Sequence, residues 1–145
     1  VEDIVGDLQW LASNIHDVTT MGGELNSSYH YTVGKQRQTF NFSYGYIHDD
    51  YTKTVNSRYA LNSLKHNINL QLLNRLSSKW STSFAYRYAT RPLGGHFKVL
   101  NAQLEYSADN FTIQLQGRNL FDATYYENLV PMPGAHGMVS ILYAL

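Results

Sequence analysis

Cysteine is absent from the 145 residues, which excludes a disulfide scaffold, a thiolate metal site and a cysteine nucleophile. Charge is scarce: Lys, Arg, Asp and Glu make up 15% of the chain, against about 25% in an average globular protein. Neither sign dominates, because 11 basic side chains face 11 acidic ones. Such a chain lacks the basic stripe that nucleic-acid binders carry, so no nucleic-acid partner is expected. No run of about 18 apolar residues occurs, which excludes a membrane-spanning helix. The opening Val1-Glu2-Asp3-Ile4 has no basic n-region and no apolar h-region, and reads as a chain whose natural beginning was processed away or lies upstream. Proline is rare, at 3 residues.

What the chain does have is tyrosine, at 12 residues, among many Ser and Asn. That mixture is too hydrophobic for disorder. From residue 17 onward it is arranged with a period of two. In the segment 21–33, Met21, Leu25, Tyr29, Tyr31 and Val33 alternate with Gly22, Glu24, Asn26, Ser28, His30 and Thr32. Phe40, Phe42, Tyr44 and Tyr46 then alternate with Asn41, Ser43 and Gly45. Leu64, Ile68, Leu70 and Leu72 follow, set against Lys65, Asn67, Asn69 and Gln71. Trp80, Phe84, Tyr86 and Tyr88 face Ser81, Ser83, Ala85 and Arg87. Leu100, Ala102, Leu104 and Tyr106 face Asn101, Gln103 and Glu105. The sixth segment sets Phe111, Ile113 and Leu115 against Thr112, Gln114, Gln116 and Arg118, and the last carries Val139, Ile141, Tyr143 and Leu145. Successive strand side chains point to opposite faces, so seven such segments predict an all-β chain.

The connections alternate in length. Gly34-Lys35-Gln36-Arg37, Ser77-Ser78-Lys79 and Ala108-Asp109-Asn110 are tight. The stretches 49–62 and 126–136 are long, and Arg91-Pro92-Leu93-Gly94-Gly95-His96 is intermediate and rich in breakers. In an up-and-down meander this puts short turns at one end and longer loops at the other, as in transmembrane β-barrels. The segments also run to about 9–13 residues, longer than the usual 5–6 of globular strands and close to the 9–11 a tilted membrane strand needs. Glu24, Lys65, Arg87, Glu105 and Arg118 all fall on the polar parity. Lys98 and His66 break the rule, both near a longer loop, where their side chains are expected to reach the headgroups.

The fold class expected is therefore all-β, with about seven antiparallel up-and-down transmembrane β-barrel strands. Residues 1–16 are expected to be irregular or the end of a preceding strand, and 17–145 to form the seven-strand meander. A sheet in lipid must close, and single-chain bacterial barrels have an even number of strands. Either residues 1–11 supply an eighth strand, or the chain is the end of a larger barrel.

Local motifs favour the larger barrel. Ala12-Ser13-Asn14-Ile15 followed by Thr20-Met21-Gly22-Gly23-Glu24-Leu25, Arg118-Asn119-Leu120-Phe121-Asp122 with Tyr125-Tyr126, Pro131-Met132-Pro133-Gly134, and the terminal Val139/Ile141/Tyr143/Leu145 alternation stand in chain order. Together they resemble the C-terminal end of TonB-dependent outer-membrane receptors. The Asn-Leu-Phe-Asp stretch is the most specific piece, and the resemblance covers nearly the whole chain. Ala135 stands where that family usually has Arg, and Leu145 where it has Phe or Trp. The family's barrel has about 22 strands around a plugged lumen.

The resemblance implies a Gram-negative outer-membrane location and uptake of a scarce nutrient such as a siderophore, haem, cobalamin or glycan. The partners it implies are outer-membrane lipid, the remaining barrel strands, a plug domain, TonB and a small nutrient ligand. Gly22, Glu24, Asn119, Leu120, Phe121, Asp122, Tyr125, Pro133 and Gly134 carry the family motifs, and for 119–122 a structural bend is expected, with Asp122 pairing backbone donors. Candidate ligand contacts are the loop residues His48, Asp49, Asp50, Tyr51, Arg58, Tyr59, His96 and His136. Tyr29, Tyr31, Trp80, Tyr88, Tyr106 and Tyr143 read as an interfacial girdle, with a carbohydrate platform as the rival reading. The six histidines form no close H-x-H or H-x₃-H pair, and no metal site or cofactor is expected. No G-x-S-x-G, Walker loop or H-E-x-x-H occurs, so catalysis is not expected. A self-contained eight-stranded barrel with a structural or adhesive role is the alternative. A soluble β-sandwich or calycin-like binding module is the third reading.

Overall fold

The computed structural model describes residues 18–51, 64–91, 95–127 and 130–143. The expectation for residues 1–16 lies outside the described residues. Nine strands follow in chain order: β1 (Val18–Val33), β2 (Gln36–Tyr51), β3 (His66–Arg75), β4 (Trp80–Thr90), β5 (His96–Ser107), β6 (Phe111–Arg118), β7 (Tyr126–Glu127), β8 (Val130–Pro131) and β9 (His136–Tyr143). The seven segments with a period of two become one antiparallel sheet in the order β1-β2-β3-β4-β5-β6-β9. It is a meander in which every neighbour in space is a neighbour in sequence, except that β7 and β8 pair with each other between β6 and β9. Among the described residues there is no helix. β1 and β9 lie at the two sheet ends, and the sheet is not closed.

Turn chemistry fixes the hairpins. Gly34 sits at φ +62° as the first residue of a two-residue turn between the paired Val33 and Gln36. A Gly at that position is what a type II′ hairpin turn requires, and this turn matches the right-handed twist of the strands. At the β3–β4 turn the Ser77 hydroxyl accepts the Lys79 and Trp80 N–H groups. Arg75 donates to the Ser77 and Ser78 carbonyls of the same turn. At the β5–β6 turn the Ala108 N–H donates to the Phe111 carbonyl at 2.8 Å.

Register then carries each face across the whole sheet. Leu25 pairs with Tyr44, Tyr44 with Ile68 and Ile68 with Tyr88 in one apolar row. One residue along, Asn26, Ser43, Asn69, Arg87 and Val99 form a polar-parity row. A slip of one residue at any hairpin would exchange the faces. Much of the apolar face is exposed among the described residues: Leu25 is 58% exposed, Phe84 43% and Ile141 71%.

The buried cluster lies on the other face. Ala89, Phe97 and Val99 are its members, on the polar parity of β4 and β5, with Leu64 and Tyr125 packed against them. Leu64 was expected to continue the apolar row of β3. The chain bends at Lys65 before β3 begins, which breaks the parity and lets Leu64 join the opposite face. Ile47, Leu73 and Leu142 are further apolar residues on the polar parity.

Two expectations about length change. β1 and β2 reach 16 residues each, so Asp49, Asp50 and Tyr51 belong to a strand rather than to a loop. The 126–136 connection, expected as loop, contains the small β7–β8 hairpin, with Tyr126 opposite Pro131 and Glu127 opposite Val130.

Candidate functional site

The motif residues of the β6–β9 connection gather into a clasp. Asn119 follows β6 in the left-handed region, at φ +49°, and is only 3% exposed. Its N–H donates to Asn101 Oδ1 at 2.9 Å, and its Nδ2 donates to the carbonyls of Ala123 at 2.9 Å and Pro133 at 3.0 Å. Its Oδ1 accepts the Ala123 N–H at 2.9 Å. One side chain thus ties the strand end, the turn and the returning loop together, which offsets the cost of the backbone conformation.

Asp122, also left-handed at φ +50°, donates its N–H to the Asn119 carbonyl, and its Oδ1 accepts the Ala135 N–H at 2.8 Å. A carboxylate pairing with a backbone donor was expected, but locally; the donor lies 13 residues on. This contact uses the backbone of Ala135, so the side chain at that position is free to vary. Gly134 is confined for a steric reason: a Cβ there would stand 2.7 Å from Asp122 Oδ1.

The clasp spreads over both faces. Leu120 covers Gly117, where a Cβ would lie 2.8 Å from Leu120 Cδ2. Phe121 meets the Tyr86 ring edge-on at 6.4 Å, and Lys98 Nζ stands 5.8 Å from its centroid. On the polar face Tyr125 stacks on Phe97 at 4.7 Å, with Arg87 5.4 Å above the same Phe97 ring. Arg87 bridges to Glu127 and donates to Asn67 Oδ1, and Arg91 donates to the Tyr126 carbonyl. The strap residues 125–127 are therefore folded onto the polar face. Burial raises the Tyr125 phenol above its ordinary pKa, Glu127 adds to the rise, and Arg87 opposes it.

Side-chain hydrogen bonds lace the polar face between strands. Ser28 donates to Asn41 and Asn41 to Gln71; Asn69 donates to Ser43. Nearer the short turns Glu105 accepts from Ser81, Ser107 and Gln114, and along β6 toward the loop end Gln116 donates to Gln114 and Arg118 to Gln116. Lys98 and His66, the exceptions on the apolar parity, are both engaged with aromatic rings. His66 Nδ1 lies 2.9 Å from the Tyr44 hydroxyl, and its ring 5.1 Å from that of Tyr46.

The described members of the expected ligand contacts are spread over three strands and both faces. His48 and Asp50 lie on the apolar parity of β2 and Asp49 on the polar one, where its Oδ1 accepts from Thr20. His96 opens β5, with its ring 6.1 Å from that of Tyr88, and His136 opens β9, hydrogen-bonded to the Gly134 carbonyl. None of these is the loop tip expected of it; Tyr51 is the last residue of β2, and Arg58 and Tyr59 lie outside the described residues. Of the remaining motif residues, Gly22 passes close to β2, where a Cβ would meet the Tyr46 carbonyl at 2.5 Å, and Glu24 is exposed opposite Gly45. Among the described residues no group of three or more His, Asp or Glu could hold a metal ion.

Sequence reading missed Asn101, Gly117, Arg87 and Glu127 as parts of the clasp. No local pattern links Arg87 to Glu127, 40 residues apart. Comparison with protein-family models, curated proteins and solved structures gave no match.

Proposed function

We propose that this chain is a section of the wall of an outer-membrane β-barrel, the C-terminal part of a TonB-dependent receptor that takes up a scarce nutrient. One observation carries the reading: the apolar face is exposed and bounded by two aromatic belts. At the short-turn end Trp80 and Tyr106 meet at 4.8 Å, Tyr106 and Phe111 at 5.9 Å, and Tyr29 stacks on Tyr31 at 5.9 Å. At the other end stand Tyr44 and Tyr46 with His66, and Tyr88 with His96. Between them run Ile68, Leu70, Leu72, Leu100, Leu104 and Leu115.

The spacing supports this. Trp80 and Tyr88 are eight residues apart on β4, about 27 Å at a rise of about 3.4 Å. A tilt of about 40° reduces this to ~21 Å of depth, close to the ~25 Å apolar band of such barrels. A water-soluble protein rarely leaves so large an apolar patch bare.

The sheet edges point the same way. β1 offers 16 residues of edge without proline or lysine, and β9 offers 8. Soluble proteins blunt such edges, whereas barrels abolish them by closure. Both edge strands run from the loop end to the short-turn end, since they are the first and seventh of an antiparallel series. Direct closure of β1 on β9 would pair them in parallel. Antiparallel closure needs an odd number of further strands, which supports the remaining barrel strands as the neighbours of both edges. The resemblance of the chain's motifs to those of TonB-dependent receptors favours many such strands over one.

The test is expression of the full-length gene product in a Gram-negative host. The expected result is recovery in the outer-membrane fraction, resistance to carbonate extraction and a gel mobility that changes on heating. Recovery of a soluble, monomeric protein without detergent would refute the reading.

A further inference from the structure

The polar face is uneven along its height. At the short-turn end Arg37, Arg75 and Lys79 line a groove of about 520 Å³ together with Glu105. Halfway up, on β1 to β3, a groove of about 440 Å³ is lined by Ser27 and Phe42 of the apolar parity and, on the polar parity, by the neutral amides and hydroxyls of Asn26, Ser28, Asn41, Ser43, Asn69 and Gln71. The nearest cation in the same register row, Arg87, is engaged by Asn67 and Glu127.

The amides are oriented by their own cross-strand bonds. Ser28 donates to Asn41 Oδ1 and Asn41 Nδ2 to Gln71 Oε1, which leaves the Gln71 amide N–H groups facing the groove as donors. Asn69 Nδ2 donates to Ser43 Oγ, which leaves Asn69 Oδ1 as an acceptor and the Ser43 hydroxyl as a donor. The free donors of Ser43 on β2 and Gln71 on β3 therefore flank the free acceptor of Asn69, with the two strands about 4.8 Å apart. A phosphate or carboxylate only accepts, so it would leave the Asn69 acceptor unmatched and find no cation in the lining to hold it. A sugar hydroxyl donates and accepts, and suits both.

From this we infer that the neutral tract is a contact surface for uncharged, hydroxyl-rich solutes of the oligosaccharide class. The inference rests on the barrel-wall reading, under which this face lines the lumen, and it selects one of the nutrient classes. Phe42, the aromatic residue in the lining, belongs to the apolar parity, so the contacts on this face are made by amides and hydroxyls and each is weak. Weak, repeated contacts are what passage requires, since a solute must leave as readily as it enters.

Saturation-transfer NMR on the detergent-purified full-length protein tests this, with maltohexaose as the neutral probe and citrate as the anionic one. The expected result is saturable transfer to maltohexaose with half-saturation near about 1 mM, and none to citrate. Gln71→Leu, which removes the free amide, is expected to weaken maltohexaose binding about five-fold. Should that variant lose its β-sheet circular dichroism, Gln71→Glu replaces it and is expected to weaken binding equally. Absence of saturable transfer up to about ten times that concentration, preference for citrate, or unchanged binding in the variant would each overturn the inference. A protein that binds maltohexaose but fractionates as soluble keeps the inference and sinks the barrel wall; one in the outer membrane without binding does the reverse.

Discussion

The two faces of the sheet share one backbone and one register, yet they are held by different physics. On the polar face neighbouring strands are joined by side-chain hydrogen bonds, such as Ser28 to Asn41 to Gln71, and part of it is covered by Tyr125, Tyr126 and Glu127. On the apolar face Leu25, Phe84, Leu115 and Ile141 stand exposed, with no element of the described chain over them. A sheet that turned its aromatic side into a protein core would show the reverse. The difference teaches that the apolar side meets its surroundings directly and the polar side organises itself.

The largest effect expected from breaking this comparison comes from one pair of neighbours on β4. Phe84 lies midway between Trp80 and Tyr88 on the apolar side, and Ser83 points the other way. Under the barrel-wall reading Phe84→Arg places a charge near the bilayer midplane and costs ~2–4 kcal/mol. Ser83→Arg enters the wet side and is tolerated. Urea unfolding of the barrel in lipid vesicles, read by tryptophan fluorescence, separates the two. Equal losses in both variants would undo the assignment of faces.

Next in size is the clasp. Asn119→Ala removes three part-buried side-chain hydrogen bonds, to Ala123 twice and to Pro133 once, and leaves those backbone groups without that partner. A loss of about 2–3 kcal/mol is expected in the same assay. Asn119→Gly relieves the left-handed backbone but not the missing bonds, and is expected to recover about 1 kcal/mol of that loss. Identical stability of the Ala and Gly variants would mean that the φ of +49° carries no strain.

How legible all this was depends on range. The strands were legible because period two is a local property: Phe40/Phe42/Tyr44/Tyr46 can be read without knowing what lies opposite. The clasp was half legible. Asn119-Leu120-Phe121-Asp122 breaks the alternation, and that break coincides with two left-handed residues where β6 ends. Its partners were not legible, because Asn101, Arg87 and Ala135 are brought in by strand order and loop return, which no window of sequence encodes. His48, Asp49 and Asp50 failed as loop candidates for a related reason. Polar residues look alike in a loop and in a strand that outruns its hairpin, and only pairing with Met21, Thr20 and Thr19 distinguishes them.

A smaller effect belongs to the ion pair that fastens the strap to the wall. Arg87 and Glu127 are each about one-third exposed, so water screens most of their attraction. A double-mutant cycle with Arg87→Gln and Glu127→Gln is expected to give a coupling of about 0.2–1 kcal/mol, falling as salt rises. A coupling above about 2 kcal/mol would mean that the pair is desolvated and that the strap is a fixed part of the wall.

The smallest effect, and the sharpest in what it separates, is the ionisation of Tyr125. Its neutral phenol is held against Phe97, and both burial and Glu127 disfavour the phenolate, so its pKa lies above the ordinary value of 10. The folded strap then keeps its proton when the unfolded chain has lost it. The stabilisation is complete below pH 10 and is lost as pH rises through the raised value. The difference in absorbance at about 295 nm between the wild type and Tyr125→Phe, followed with pH, isolates this one phenol among the tyrosines. Its midpoint is expected above 10 and is expected to fall in Glu127→Gln, where the repelling carboxylate is gone and Arg87 is left to attract the phenolate. A midpoint at or below 10 in the wild type would mean that Tyr125 is not packed on Phe97 in solution, and that the polar face is open where the strap is drawn across it.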